Sequence, residues 1–149
     1  MPTVSDAIDL SGALVRVEVG ISHSWRRQYF AKGRPIPQPV SLTALIDTGA
    51  EVTCIDALAA RPLRSAGRRA VVPVNTPAAG GLSYQMTYEL RLTVLHPSGQ
   101  SADNLVLPDL LVAELPLNAL GIEVLLGRDV LALCRLDYDG QRGTFALTY

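Results

Sequence analysis

The 149 residues carry 13 Lys and Arg against 14 Asp and Glu, a formal charge of −1, and 48% of them are hydrophobic. That is chain enough for one domain burying about 70% of the surface its unfolded form exposes, and the balanced charge supplies no global field toward nucleic acid or an anionic membrane. Two cysteines, Cys54 and Cys134, each in an apolar stretch, are too few for a disulfide scaffold of the secreted kind, and reduced thiols are expected.

Asp6 and Asp9 interrupt the first ten residues, so no secretory signal is expected there. The most apolar region, 105–126, holds Pro108, Asp109, Glu114 and Pro116 and does not read as a membrane helix. A cytoplasmic chain is expected, with 1–12 as an amino-terminal segment and 13–149 as the domain. Alternation and β-branched content point to many short strands. In "ALVRVEV", 13–19, Val15, Val17 and Val19 share the face expected to point inward. Residues 21–39, with prolines at 35, 37 and 39, are expected to form a long exposed excursion or hairpin. "SLTALI" then leads to Asp47, "VTCID" reads as a short strand, and "ALAARPLRSAGRR" as a helical turn or loop whose charges face water. "AVVPV" and "LSYQMTYELRLTVL" flank the small-residue tip "NTPAAGG" as a long hairpin. Two short strands are expected near 104–107 and 110–115, then a strand at 123–126, a turn at Gly127, a short helix at 128–134 and a final hairpin turning at Asp139 and Gly140.

The stretch "ALIDTGAEVT", 44–53, raises a chemical question, because a carboxylate ends an apolar strand and is followed by a hydroxyl and a glycine. A turn explains Asp-Thr-Gly on its own, since Asp accepts from nearby amides and Gly is permissive. A carboxylate in such a place also does chemistry if a second carboxyl shares one proton with it: one group stays acid while the other takes a proton from water. No second Asp-Thr-Gly or Asp-Ser-Gly occurs, and a twofold contact that brings Asp47 of two copies together supplies the missing group.

"ALIDTGA" at 44–50 followed by "VLLGRDVL" at 124–131 resembles the retropepsin-like family, the single-domain aspartic proteases of retroviral type. The likeness spans about Ala13 to Tyr149 and implies an all-β, closed, barrel-like acid-protease fold of a single lobe, with one short C-terminal helix, assembling as a twofold homodimer. It implies an aspartic endopeptidase in which two Asp47 carboxyls activate water, working without cofactor or metal on a peptide or protein substrate, best under mildly acidic conditions. By the same resemblance Thr48, Gly49 and Ala50 complete the active-site loop, with the Thr48 hydroxyl bonding across the dimer axis. Leu125, Leu126 and Gly127 pass beneath that loop, Arg128 pairs with Glu51, and Ala79, Gly80 and Gly81 belong to a flap over the substrate. The terminal "GTFALTY" is expected to pair with its twin. The alternative reading is a non-catalytic peptide-binding or dimerisation module that keeps this fold.

Other signals are weaker. His23 and His96 lack neighbouring ligands at metal spacing. "WRRQYF", 25–30, reads as cations and aromatics lying along a protein surface rather than a nucleic-acid platform, so neither nucleic acid nor membrane is expected as a partner. There is no Gly-x-Ser-x-Gly elbow, and Cys54 reads as a small buried side chain, not a nucleophile.

Overall fold

The structure, a computed structural model, describes residues 1–64, 67–76 and 80–149, and of 68, 69 and 76 the backbone alone. Ten strands and two short α-helices are laid out in it. The alternating valines of β2 (Leu14–Ile21) do what their period requires: Val15, Val17, Val19 and Ile21 are all buried. β2 pairs antiparallel with β3 (Val40–Ile46) on one side and with β6 (Gly81–Val94) on the other. Around the remaining circuit run β8 (Val124–Leu126), β4 (Cys54–Asp56) and β7 (Leu105–Leu115), so that six strands close into a barrel in the order β2-β3-β8-β4-β7-β6. Closure leaves no free edge around the core. Val17, Leu90, Leu92, Val94 and Leu126 are essentially inaccessible inside it, and each fully buried side chain of this size contributes about 1.5–3 kcal/mol.

β5 (Arg68–Thr76) pairs only with β6 among the described residues and carries Pro73 opposite Tyr84. An edge strand tolerates the missing N–H donor. The two strands expected near 104–107 and 110–115 are one strand, β7, because a bulge between the Leu90–Leu110 and Leu92–Leu107 pairs absorbs Pro108 and Asp109.

Residues 21–39 contain a helix, not a hairpin: α1 (His23–Ala31), in addition to the expected carboxyl-terminal α2 (Arg128–Leu131). Buried Ser22 caps α1 by accepting from the Trp25 N–H at 3.1 Å, and Asp109 accepts from the Ser24 N–H at 2.9 Å. Trp25 and Tyr29, four apart and so on one helical face, pack against the core. Gly33, at φ 62°, follows the helix, and Pro35 keeps the chain from resuming it.

A second sheet holds the two ends of the chain. β10 (Thr144–Thr148) lies between β1 (Thr3–Ala7) and β9 (Arg135–Asp139), antiparallel to both. The terminal strand therefore has both edges occupied within its own chain and cannot pair with a twin as expected from the sequence. The amino-terminal residues 3–7 take one of its edges, and the outer edges of the sheet are β1 and β9.

Candidate active site

β8 runs between the strand that enters the Asp-Thr-Gly turn and the strand that leaves it. Leu125 is registered with Leu45 of β3, in parallel, and with Cys54 of β4, antiparallel. Asp47 is half-buried at the end of β3, its N–H donating to the Leu126 carbonyl at 3.1 Å. One carboxylate oxygen, Oδ1, accepts from the Gly49 N–H at 2.8 Å. Oδ2 has no protein hydrogen-bond partner among the described residues and is left to solvent. The Ala50 N–H closes the turn onto the Asp47 carbonyl at 3.2 Å, and the Ala50 carbonyl accepts from the Arg128 N–H at 2.9 Å. A Cβ at Gly49 would lie 3.1 Å from Asp47 Oδ1, so the glycine keeps the carboxylate and its amide donor in register. The structure thus brings together Asp47, Thr48, Gly49, Ala50, Leu126, Gly127 and Arg128.

The Glu51–Arg128 pair is not formed. Glu51 is exposed, and the Arg128 guanidinium instead donates through Nη1 to the Thr48 carbonyl at 3.2 Å, bracing the turn by its backbone. The Thr48 hydroxyl is exposed and makes no hydrogen bond within the chain among the described residues.

Two residues that sequence reasoning passed over carry the turn from below. Thr53, fully buried, donates its hydroxyl to Asp129 Oδ1 at 2.7 Å and its N–H to Asp129 Oδ2 at 2.9 Å, while Thr53 Oγ1 accepts from the Gly127 N–H at 3.0 Å. Asp129 Oδ1 also accepts from the Val130 N–H at 2.8 Å in the first turn of α2. An acid just after the Gly127 turn and opening a helix was the available signal; its partner lies too far away in sequence to be inferred. Gly127 is required by space, not by dihedral freedom. A Cβ there would stand 2.6 Å from the Val52 carbonyl carbon and 2.8 Å from the Thr53 nitrogen. Gly127→Ala is therefore expected to cost about 3 kcal/mol, the upper end for overpacking, because the obstructing atoms are backbone. Chemical denaturation checks this, and a loss under 1 kcal/mol would contradict it.

Beside the turn lies a small apolar cluster separate from the main core. Cys54, Ala113, Leu115 and Leu117 are buried, with Val52, Val74, Ile122 and Leu125 packed against them. Val74 comes from the β5–β6 hairpin, so the hairpin is packed toward the same side as the Asp47 turn. At its tip Gly80 and Gly81 both have positive φ, 81° and 115°, which favours glycine. Ala79, the third residue expected in the flap, lies outside the described residues.

Burial pushes the Cys54 thiol up to about 12, with the nearby charges of Asp129 and Asp47 adding to the shift. The native state thus holds Cys54 protonated, whereas the unfolded chain ionises it from about 9.0. Its contribution to stability is complete below pH 9 and declines as pH rises from there toward 12. Thermal midpoints taken between those limits are expected to fall less steeply for Cys54→Ala than for the parent; parallel profiles would contradict this.

Fold and turn together define the class: a closed β-barrel lobe carrying a single Asp-Thr-Gly turn, the one-lobe form of the acid-protease fold. The sequence model of the retroviral aspartyl protease family matches residues 12–137, and the chain belongs to that family. A retropepsin-like aspartic protease from Rickettsia conorii, known from its crystal structure, superposes on 99% of this chain and 90% of its own with a TM-score of 0.57 at 14% identity, a likeness of fold. The retroviral protease-like domain of Ddi1 from Leishmania major aligns with 87% of this chain and 83% of its own, with a TM-score of 0.39 and 15% identity. No curated protein sequence matches the chain.

Proposed function

We propose that the chain is an aspartic endopeptidase that works as a twofold homodimer, with two Asp47 carboxyls activating one water. The observation that carries this reading is the state of Asp47: one oxygen is fixed by the Gly49 N–H, the other is left to solvent, and the turn around it is braced. Asp47 is also the sole acid between Glu18 and Glu51, so the turn offers one carboxylate per copy. A lone carboxylate cannot both accept the proton of water and hydrogen-bond the carbonyl under attack. In the pair, the ionised member takes a proton from water as its oxygen bonds to the peptide carbon, and the neutral member protonates the carbonyl oxygen. Collapse of the tetrahedral adduct then breaks the C–N bond as the leaving nitrogen takes a proton from the dyad. The exposed Thr48 hydroxyl would bond across the axis. The apolar cluster around Val52, Val74, Ile122 and Leu125 would form a cleft wall for apolar substrate side chains, and the β5–β6 hairpin with Gly80 and Gly81 would lie over an extended peptide.

The test is digestion of a diverse peptide mixture across the acidic range, with new termini read by mass spectrometry. Cleavage is expected, and its specific rate should collapse on dilution below the dimer's dissociation constant. A folded dimer that yields no new termini would overturn the reading in favour of a peptide-binding module, and a rate per chain independent of dilution would overturn the shared site.

A further inference from the structure

The near-zero net charge conceals a segregation. Residues 19–46 contain four cations, Arg26, Arg27, Lys32 and Arg34, and no Asp or Glu, leaving nine basic residues against all fourteen acids in the rest of the chain. All four cations are exposed on α1 and the turn that follows it, and among the described residues none of them makes an ion pair within 4.0 Å. Three acids lie near the helix: Glu18 shares a shallow depression with Arg26 and Arg91, Glu89 accepts from the Ser22 hydroxyl at 3.1 Å, and Asp109 accepts from the Ser24 N–H.

With Trp25 and Tyr29 packed inward, the opposite face of α1 presents Arg27 and Phe30, three apart, with Arg26 four before Phe30. Phe30 is 81% exposed and no residue of α1 is buried, so the helix stands on the surface as a ridge. An acidic peptide in extended form would need a groove or a free strand edge; β3 has such an edge at Val40–Leu42, ahead of its pairing with β8 at Ala44, but the cations lie on α1 and the turn after it, which offer neither. A convex ridge with an aromatic ring among guanidinium groups matches a flat anionic surface instead, the ring entering the headgroup layer and the guanidiniums bonding phosphates.

From these observations we infer that the α1 face, through Arg26, Arg27, Phe30, Lys32 and Arg34, docks on a lipid bilayer carrying anionic headgroups. α1 joins the end of β2 to the start of β3, whereas Asp47 follows the far end of β3. Seven strand residues span roughly 20 Å. Docking there leaves the turn and its cleft clear of the bilayer.

The full chain is mixed with phosphatidylcholine vesicles, with and without phosphatidylglycerol, and the bound fraction is read by sedimentation across a salt series. A basic residue held at an anionic leaflet multiplies partitioning roughly fivefold. Binding is expected to the anionic vesicles alone, to weaken as salt rises, and to drop at least about 25-fold in Arg26→Glu/Arg27→Glu. Phe30→Ser should weaken it further, while Arg61→Glu/Arg142→Glu, with the same change in net charge, should retain it. No binding of the parent chain to anionic vesicles, equal binding to neutral ones, or equal losses in the two double variants would overturn the proposal. So would capture of a single-stranded oligonucleotide or of polyglutamate at least as tightly and with the same dependence on Arg26, Arg27 and Phe30.

Discussion

Asp47→Asn is expected to yield a folded, dimeric protein whose peptide cleavage is reduced about a thousandfold or more, the scale of a lost general acid–base pair. The substitution keeps size and shape, and Asn Oδ1 still accepts the Gly49 N–H that now meets Asp47 Oδ1. The amide cannot take a proton from water at any useful pH. Steady-state turnover beside a thermal melt separates the two roles: the midpoint should hold while the rate disappears. Undiminished turnover in a folded Asp47→Asn protein would remove Asp47 from the chemistry.

The largest expected effect on stability is Asp129→Ala. It strands the Thr53 N–H in a fully buried position and takes the acceptor from the Thr53 hydroxyl, while the Val130 N–H keeps only its second acceptor, the Gly127 carbonyl at 3.1 Å. Unsatisfied buried donors cost about 1–3 kcal/mol each, so a total loss of about 3 kcal/mol or more is expected. Asp129→Asn should cost less, because one of the two acceptor positions survives. Denaturant midpoints at constant slope measure both. Because the Thr53 hydroxyl also holds the Gly127 N–H, the Ala variant is expected to lose cleavage even where it remains folded. An Asp129→Ala protein as stable and as active as its parent would show that the turn does not depend on this bracket.

What the sequence announced was whatever is written locally. Val15, Val17 and Val19 state their buried face by alternation, and the apolar approach to Asp47 and the "LLG" before Arg128 state a strand running into a turn. α1 is poorly legible: Trp25 and Tyr29 stand four apart, but the prolines at 35, 37 and 39 just after the helix give the whole segment an extended composition. The two short strands expected near 104–107 and 110–115 are one strand, because a bulge accommodates Pro108. Long-range pairing was the least legible. Residues 3–7 give little hint that they occupy one edge of β10, which displaces the expected contact with a twin. The site shows the same division. Asp47, Thr48, Gly49 and Gly127 stand out in the sequence, whereas the Thr53–Asp129 bracket and the cluster of Val52, Val74, Ile122 and Leu125 exist only once the barrel has closed. Glu51 and Arg128 show the converse, a pairing expected from a family pattern that the Arg128 contact with the Thr48 carbonyl replaces.

The shared carboxyl pair is tested most directly by mixing. Parent and Asp47→Asn chains are combined in varied ratio at constant total concentration, equilibrated so that subunits exchange, and assayed for cleavage. If a site needs Asp47 from both copies, the rate follows the square of the parent fraction, and equal parts retain about a quarter of the starting activity. A rate that falls in simple proportion to the parent fraction would mean that each chain carries a complete site, and the twofold mechanism would be wrong.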